Sequence, residues 1–389
     1  MAVGNIYQEA LDCKRETIAL RRWFHAHPEP GFQERLTAKR IREELTALGV
    51  EYATAGETGT VGVIHGNAPS PVVALRADID ALEINEETGA EYRSLTPGMM
   101  HACGHDAHTA ALLTAAKLLN RRKSQLNCAV KLIFQPAEEI GIGAEAVIST
   151  GLLNDVNAFF GIHVRPAQPV GTVEVQDGVV MAGANTLDIE VHGKSGHGGH
   201  PDEGIDAVAA GTAIVESLQH IVSREVPPNE SAVISIGQFN AGTRRNIIAN
   251  RASLYGTMRI ISEESRVRVA TAIKRVVDGV STAHRVKSLV DCEYATPILL
   301  NSPELTKTVL EAVLEIVPES AVKGVNLKMS TEDFGAYRKI APGFFVFAGS
   351  GGTYNLHHEK FDIDENVLPV CAALYTEFVL KFSAGYHNT

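Results

Sequence analysis

Residues 101–108, with the sequence HACGHDAH, concentrate side chains that bind transition metals. Zinc-like ions take thiolate and imidazole ligands, and carboxylate oxygens as well. Cys103 and His105 lie two positions apart, so on an extended chain their side chains project to the same side. A cysteine flanked by three histidines is seldom idle in a reducing compartment. The segment therefore predicts a metal site, with a histidine-rich surface loop as the alternative interpretation.

Two adjacent carboxylates, Glu138 and Glu139, directly follow an apolar strand pattern. Adjacent carboxylates repel each other, so their position at the end of a core strand needs a reason. A metal ion supplies one, because one carboxylate can bind it while the other acts as a base toward water. Taken alone, the pair fits a solvated surface position about equally well.

Histidines occur at two further places that an α/β sheet would bring close to these clusters. His163 ends an apolar strand pattern, and His357 and His358 precede the last helix pattern. Each alone has an ordinary interpretation, a core histidine in the first case and a polar loop in the second. Together the four clusters offer Cys, His, Glu, His and His from separate strand ends. That many soft and borderline ligands predicts a site for two metal ions.

Polar residues near the middle of the chain form a second candidate set. His197 and Arg259 lie at or just beyond the ends of strand patterns, and Asn246 lies in a loop. Arginine is well suited to clamp a carboxylate, although spacing alone favours ordinary exposed positions for all three. The motifs of nucleophilic-serine and nucleotide-binding enzymes are missing from the sequence, which disfavours both classes.

Alternating helix and strand patterns in the first third of the chain predict the scaffold for these residues. Helices are predicted over 36–48 and 107–119, and strands over 61–64, 72–75, 129–134 and 158–163. This alternation is typical of a mostly parallel α/β sheet. Such sheets place their sites on the loops at one end, which is where the metal-ligand clusters fall.

The pattern changes near residue 184 to the order β-α-β-β-α-β, typical of a ferredoxin-like fold. Strands are predicted at 187–191, 231–239, 253–260 and 286–294, and helices at 204–222 and 263–280. From about residue 296, a helix (303–317), a strand (343–348) and a helix (365–382) return to the first pattern. We therefore predict a catalytic domain formed by residues 1–183 and 295–389, with residues 184–294 as an inserted domain.

Composition limits the remaining function classes. A chain of 389 residues favours two domains. The net charge of −11 and the lack of a long Lys/Arg run disfavour nucleic acid as a partner. The sequence has no run of about 18 apolar residues, so no membrane span is expected. The N-terminus lacks a signal-peptide pattern. Five scattered cysteines fit a reducing cytoplasm.

Three further motifs, taken in order, establish a resemblance over nearly the whole chain. They are residues 21–29 (RRWFHAHPE), 76–82 (RADIDAL) and 356–358 (LHH). With the clusters above, they resemble the hippurate hydrolase, bacterial aminoacylase and indole-acetyl-amino-acid hydrolase branch of the dinuclear carboxypeptidase and aminoacylase enzymes. The resemblance implies a zinc-carboxypeptidase-like catalytic domain and an inserted dimerisation domain.

The resemblance also implies roles for the matching positions. Cys103 would bridge two metal ions, and the remaining ligands would be His105, Glu139, His163 and His357. Glu138 would be the general base. The inserted domain would contribute His197 to a partner subunit's site, with Asn246 and Arg259 binding the substrate carboxylate. The ligand types permit Zn, Mn, Co or Ni.

The predicted activity is hydrolysis of N-acyl-L-amino acids to a carboxylic acid and a free amino acid by a homodimer or a higher homo-oligomer. A dipeptidase or aminopeptidase on the same scaffold is the first alternative. A non-catalytic metal-binding protein is the second, and Glu138 argues against it because a pure binder needs no base beside its ligands.

Overall fold

The computed structural model describes residues 6–385, which fall into two compact units. The first contains residues 6–180, 300–326 and 333–385, and the second contains residues 181–299 and 327–332. Each unit has its own apolar core. The described α-helices are α1 (Ile6–Asp12), α2 (Lys14–Ala26), α3 (Arg35–Ala47), α4 (His105–Asn120), α5 (Gly143–Ile148), α6 (Ala207–Arg224), α7 (Glu263–His284), α8 (Thr306–Leu314) and α9 (Val367–Gly385).

The strands of the described chain vary from two to ten residues in length. They are β1 (Glu51–Ala55), β2 (Gly59–Ile64), β3 (Val72–Asp78), β4 (Ala129–Gln135), β5 (Ala158–Arg165), β6 (Val173–Glu174), β7 (Gly178–Met181), β8 (Gly183–His192), β9 (Gly196–His197), β10 (Ala232–Ala241), β11 (Ile247–Ile248), β12 (Arg251–Ile260), β13 (Lys287–Asp291), β14 (Tyr294–Thr296), β15 (Leu299–Asn301), β16 (Val322–Lys323) and β17 (Gly343–Gly349).

The first unit is built on an eight-stranded sheet with the order β1-β2-β4-β3-β5-β17-β6-β16. Its four middle strands, β4, β3, β5 and β17, are parallel to one another. Every residue of β3, β5 and β17 is buried, as expected for parallel strands covered by helices on both faces. The prediction of a mostly parallel central sheet is confirmed for this middle section, while β1, β2 and β6 add antiparallel pairs.

Helices α4 and α9 pack against each other and supply much of the core of this unit. Helix α9 is long and apolar enough to cross a membrane by length and composition, but 78% of that stretch is buried inside the protein. That degree of burial is typical of a core helix. The helix predicted over 303–317 is shorter than expected: a 3-10 turn at Pro303–Leu305 precedes α8.

The second unit follows the chain order β8-α6-β10-β12-α7-β13, and its antiparallel sheet has the strand order β13-β8-β12-β10. This is the predicted ferredoxin-like arrangement. Helix α6 begins at Ala207, later than predicted, because the Asp206 side chain caps it by accepting from two backbone N–H groups. The strand predicted over 286–294 is interrupted between β13 and β14, both of which pair with β8.

One short segment, Leu327–Glu332, belongs to the second unit, whereas we predicted it within the last part of the catalytic domain. Two hydrogen bonds hold it there. Ala182 donates its backbone N–H to the Ser330 carbonyl at 3.0 Å, and Arg259 Nη1 donates to the Met329 carbonyl at 2.8 Å. Contacts of this kind between distant positions leave no mark on local sequence patterns.

Candidate metal centre

Helix α4 begins where the cysteine- and histidine-rich segment ends, and a glycine makes that start possible. Gly104 is the N-cap residue and has a φ of 89°. A Cβ atom at this position would lie 2.4 Å from Val164 Cγ2, so both the backbone conformation and the available space favour glycine. Cys103 and His105, on either side, are buried at the carboxyl edge of the central sheet.

Strand β5 brings a second histidine against the cysteine. His163 Nε2 lies 3.4 Å from Cys103 Sγ. The other ring nitrogen, Nδ1, donates to the Val164 carbonyl at 2.7 Å, because a carbonyl oxygen can only accept. The neutral ring therefore presents an unprotonated Nε2 toward the cysteine, which is the form that binds a metal.

Glu139 and His105 face each other, and each has a polar atom without a hydrogen bond. Among the residues that the structure describes, Glu139 Oε1 and His105 Nε2 are buried and have no hydrogen-bond partner. These two atoms lie 3.9 Å apart, and His357 Nε2 lies 3.5 Å from the same Glu139 oxygen. Buried polar atoms are nearly always satisfied in folded proteins, so this cluster of unsatisfied atoms fits a bound cation.

The donor atoms form two groups that share Cys103. Within each group, the ligand atoms lie within 4.8 Å of one another: one group is Cys103, His105 and His163, and the other is Cys103, Glu139 and His357. Thiolate, imidazole and carboxylate are the ligands that zinc-like ions take. The residues therefore fit two ions with one shared cysteine. Glu138 lies beside them, in a third such group with His105 and Glu139.

The structure distinguishes the two histidines near the C-terminus. His357 is half exposed, faces Glu139 and has a φ of 66°, and its backbone N–H donates to the Ala102 carbonyl at 2.8 Å. His358 instead accepts from the Lys360 N–H at 3.0 Å and stacks on Tyr354. Only the first of the two points toward the donor groups.

Two buried aspartates from the motif at 76–82 lie beside the donors, and Asp80 holds two of them. Asp80 accepts from His105 Nδ1 at 3.1 Å with one carboxylate oxygen and from the Glu139 N–H at 3.0 Å with the other. Asp78 accepts from His108 Nδ1 at 2.6 Å and from Arg76 Nη1 at 2.6 Å. Both oxygens of Asp78 are therefore engaged by neighbouring side chains, which fixes the His108 ring and the Arg76 guanidinium.

The electrostatics of the pocket favour bound cations. Burial raises the pKa of the Cys103 thiol well above its usual range, and the nearby Glu139 and Glu138 raise it further. A thiolate at this position therefore needs added positive charge. Burial lowers the pKa of His163 well below its usual range. Burial also acts to lower the pKa of His105, but Asp78 and Asp80 outweigh it and raise that pKa to about 10.

A buried ionic network with residues of α2 holds the start of α4. Arg21 and His25, both on α2, donate to Asp106 Oδ2 from Nε and Nδ1 at 2.8 and 2.7 Å. His25 Nε2 lies 3.3 Å from Glu86 Oε1. Burial and Arg21 act to lower the pKa of His25, but Asp106 and Glu86 outweigh them and raise that pKa above its usual value. The motif at residues 21–29 thus fixes the helix that presents Cys103 and His105.

The three remaining candidates belong to the second unit. His197 is exposed on β9, which pairs with β11, and its Nδ1 accepts from the Gly199 N–H at 3.1 Å. Asn246 is exposed beside it, and its carbonyl accepts from the Gly198 N–H at 2.9 Å. Arg259 lies near the end of β12, bonded to the carbonyl of Met329. The structure thus groups six of the nine predicted residues at one sheet edge and places these three in the other unit.

Residue types alone did not predict the buried carboxylates and the arginine that lie beside the donors. Arg76 and Asp78 lie in β3, whose other residues are apolar, and Asp80 follows two residues after the strand ends. Charged side chains inside an otherwise buried strand were the available indication, because such groups are almost never fully buried unless they are paired.

Comparisons with known proteins identify the family of this chain. The model of Peptidase family M20/M25/M40 matches residues 74–381. The chain is 40% identical over 367 residues to the N-acetylcysteine deacetylase of Bacillus subtilis (strain 168), covering 93% of this chain and 96% of that protein. It is 36% identical over 388 residues to the IAA-amino acid hydrolase ILR1-like 4 of Arabidopsis thaliana, covering 95% and 87%.

A solved structure extends the agreement to the fold. The YXEP protein of Bacillus subtilis, described as a dinuclear metal binding peptidase from the M20 family, matches with a TM-score of 0.85 at 36% identity, covering 95% of this chain and 98% of that one. The resemblance inferred from the motifs is confirmed. The chain belongs to peptidase family M20/M25/M40 and is therefore a metal-dependent hydrolase of amide bonds.

Proposed function

We propose that this enzyme hydrolyses the amide bond of N-acyl-L-amino acids, releasing a carboxylic acid and a free amino acid. The observation that carries the proposal is the pair of donor groups sharing Cys103, with Glu138 beside them. The relatives named as a deacetylase of N-acetylcysteine and as a hydrolase of IAA-amino acids support this substrate class.

The proposed metal ligands are the five donors of the two groups, with Cys103 shared between the ions. His105 and His163 would complete one coordination sphere, and Glu139 and His357 the other. When bound, two divalent ions supply Lewis-acid chemistry that lowers the pKa of water toward about 7. Asp80 would hold His105 in the tautomer that leaves Nε2 free for coordination.

Glu138 is the proposed general base, because it is the carboxylate of the pair that the two shared groups leave unused. It would take a proton from the attacking water and later deliver that proton to the leaving nitrogen. Glu139, next to it, would remain an ionised ligand: burial acts to raise its pKa, but the nearby His357 and the charge of His105 lower it.

Recognition of the amino acid half is proposed for the second unit. Arg259 has donors beyond the one bonded to Met329 and is chemically suited to a carboxylate, with Asn246 as a second contact. His197 would donate to the oxyanion that develops on the amide carbonyl, a contact typically worth about 3 kcal/mol in a transition state.

We further propose a homodimer in which His197 serves the site of the other subunit. Strand β10 is at the edge of the sheet of the second unit, and most of its residues from Ser235 onward are exposed, including Phe239. An exposed edge strand is a ready surface for pairing with another chain, and two-fold dimers are the commonest assemblies.

A substrate panel tests the function. The protein is stripped with a chelator and reloaded separately with Zn, Mn, Co or Ni. It is then assayed with N-acetyl and N-benzoyl amino acids and with dipeptides that have a free α-amine. We expect hydrolysis of the acylated substrates that disappears after chelation. Preference for dipeptides would favour a dipeptidase, and no hydrolysis under any metal would favour a binding protein.

A further inference from the structure

The turn that carries Glu138 is held by a carboxylate from a distant part of the chain. Glu34 is fully buried, and its Oε1 accepts the backbone N–H of Ala137 at 2.9 Å. Ala137 directly precedes Glu138, and the two positions of this contact are 103 residues apart in the sequence. No role for Glu34 follows from the metal ligands or the base, because it contacts none of them directly.

The turn needs such support because its backbone is unusual. Ala137 has a φ of 57° and is fully buried. A residue with a Cβ atom seldom adopts this left-handed conformation. Within the turn, Gly141 N–H donates to the Glu138 carbonyl at 2.7 Å and Gly143 N–H to the Ala137 carbonyl at 3.2 Å. These bonds leave the Ala137 N–H itself to be satisfied from outside, and Glu34 satisfies it.

The segment that presents Glu34 is rigidly attached. The Glu29 carboxylate accepts the N–H groups of Leu36 and Thr37, at 3.0 and 2.8 Å, at the start of α3. The Glu29 carbonyl accepts from the Ala81 N–H at 2.9 Å, beside the motif at 76–82. Glu34 is therefore fixed relative to both a helix and the sheet edge.

A second contact presses the same segment against the turn. A Cβ atom at Gly31 would lie 3.1 Å from Ala137 Cα, closer than ordinary van der Waals contact. On the other side of Glu138, the Glu139 N–H is held by Asp80. The backbone on both sides of Glu138 is thus anchored by a buried carboxylate.

We propose that Glu34 is a positioning residue that sets the orientation of Glu138 by holding the Ala137 N–H. The proposal rests on the proposed function in so far as Glu138 is the base. Because Asp80 holds Glu139 independently, loss of the Glu34 contact should disturb the base and leave metal binding largely intact. A small displacement of a catalytic group can reduce the rate by about 100-fold.

Three variants separate positioning from simple destabilisation. Glu34→Leu removes the acceptor at similar size. Glu34→Gln keeps an acceptor oxygen, and because burial already raises the pKa of Glu34, the uncharged amide should be tolerated. Thr17→Val removes a different buried hydrogen bond of the first unit, between Thr17 and Thr114 hydroxyls at 2.8 Å, far from the turn in sequence.

Metal-loaded proteins are compared by three measurements: metal content, kcat and KM on the best N-acyl amino acid, and hydrogen exchange of the peptide covering residues 136–142. For Glu34→Leu we expect about two ions per chain, faster exchange in the turn, and a kcat lower by about 10- to 100-fold with KM nearly unchanged. Glu34→Gln and Thr17→Val should behave like the unmodified protein in the turn and in kcat.

The readouts distinguish failure of this proposal from failure of the proposed function. Unchanged exchange in Glu34→Leu would overturn the positioning role even if the protein hydrolysed no substrate. Faster exchange with an unchanged kcat would also overturn it, because the turn would then move without consequence for the base. An equal loss of kcat in Thr17→Val would assign the effect to general stability. Absence of hydrolysis by the unmodified protein would refute the function, and exchange would still decide the structural contact.

Discussion

The two sets of predicted site residues differ in how much structure surrounds them. At the carboxyl edge of the central sheet, Cys103, His105 and His163 are buried, and both histidines have one nitrogen fixed by a hydrogen bond to a neighbouring oxygen. In the second unit, His197 and Asn246 are exposed, with only local contacts to neighbouring backbone.

This difference separates two kinds of function. Metal ligands must be held in place before the ion arrives, because a preorganised set of donors avoids the cost of ordering them on binding. Exposed groups with only local contacts are suited to binding something outside their own unit, such as substrate or another subunit. Substitutions in the first set should therefore abolish activity on every substrate. Substitutions in the second set should reduce activity by an amount that depends on the substrate and on subunit assembly.

The strongest test of the first set removes Cys103, the proposed shared ligand. Cys103→Ala should abolish binding of both ions and with it all metal-dependent hydrolysis, because both donor groups contain this residue. Elemental analysis of protein loaded with excess metal should fall from about two ions per chain to none.

Another cysteine provides the control for this experiment. Cys371→Ala removes a buried thiol in the core of α9, so it should cost about 1 kcal/mol of unfolding free energy and leave metal content and activity unchanged. Full metal content in Cys103→Ala would contradict a bridging role.

The adjacent glutamates should give opposite phenotypes. Glu138→Gln should keep about two ions and lose roughly 10²- to 10⁴-fold in kcat, the usual contribution of general-base catalysis. Glu139→Gln should weaken metal affinity itself, because its Oε1 faces both His105 and His357. Metal titrations and steady-state kinetics on both variants decide the assignment, and reversed phenotypes would show that the roles are exchanged.

A smaller effect is expected from the carboxylate that orients two donors at once. Asp80→Asn places an amide NH₂ group where one of two donors, His105 Nδ1 or the Glu139 N–H, needs an acceptor. Metal affinity should fall by about 10- to 100-fold, as for other partners of metal ligands. The matched control is Asp278→Asn on the exposed face of α7, which should leave the metal affinity unchanged. Equal affinities for the two variants would show that Asp80 does not orient the ligands.

The second set should instead show dependence on the substrate. Arg259→Ala should impair hydrolysis of N-acyl amino acids at least about tenfold more than hydrolysis of the matching N-acyl amino acid amides, since only the former present a carboxylate for charge-assisted hydrogen bonds. The comparison uses kcat/KM for each substrate pair. Equal losses on acids and amides would exclude a carboxylate clamp at this position.

Sequence patterns predicted the fold where elements are long and periodic. The buried strands β3, β4 and β5 and the ferredoxin-like order of the second unit follow from apolar runs and alternation. Sequence patterns could not predict the two-residue strands, because two residues have no measurable period. These strands are β6, β9, β11 and β16. The membership of Leu327–Glu332 in the second unit depends on long-range hydrogen bonds that local patterns do not encode.

For the site, residue type was enough to predict the donors. The residues that hydrogen-bond to the donors or to the backbone beside them became apparent only from their burial. Cys103 and the histidines stand out because few other roles suit them. Acidic residues such as Glu34 and Asp80 look like solvated positions in a sequence, and only their burial and partners reveal what they hold. The positive φ of His357 is a product of tertiary packing and has no local indicator. The ligand and base assignments themselves stay predictions that the variants above must test.

The smallest expected effect is a partial recovery of activity in a mixture of two variants. This recovery would connect the two sets of residues. Glu138→Ala and His197→Ala should each be inactive alone. Co-expressed in equal amounts, they should form about half heterodimers by random pairing. In a heterodimer, the subunit carrying His197→Ala keeps its ligands and Glu138, and it would receive an intact His197 from its partner.

One site in two would then work in each heterodimer, so the mixture should recover roughly a quarter of the unmodified activity, from half the dimers times half their sites. If His197 acts within its own chain, no heterodimer contains a complete site, and the mixture stays at background. Recovery would mean that the exposure of His197 in the single chain reflects its use by another subunit. Background activity, with heterodimers verified by differential tagging, would place both sets of residues in one chain.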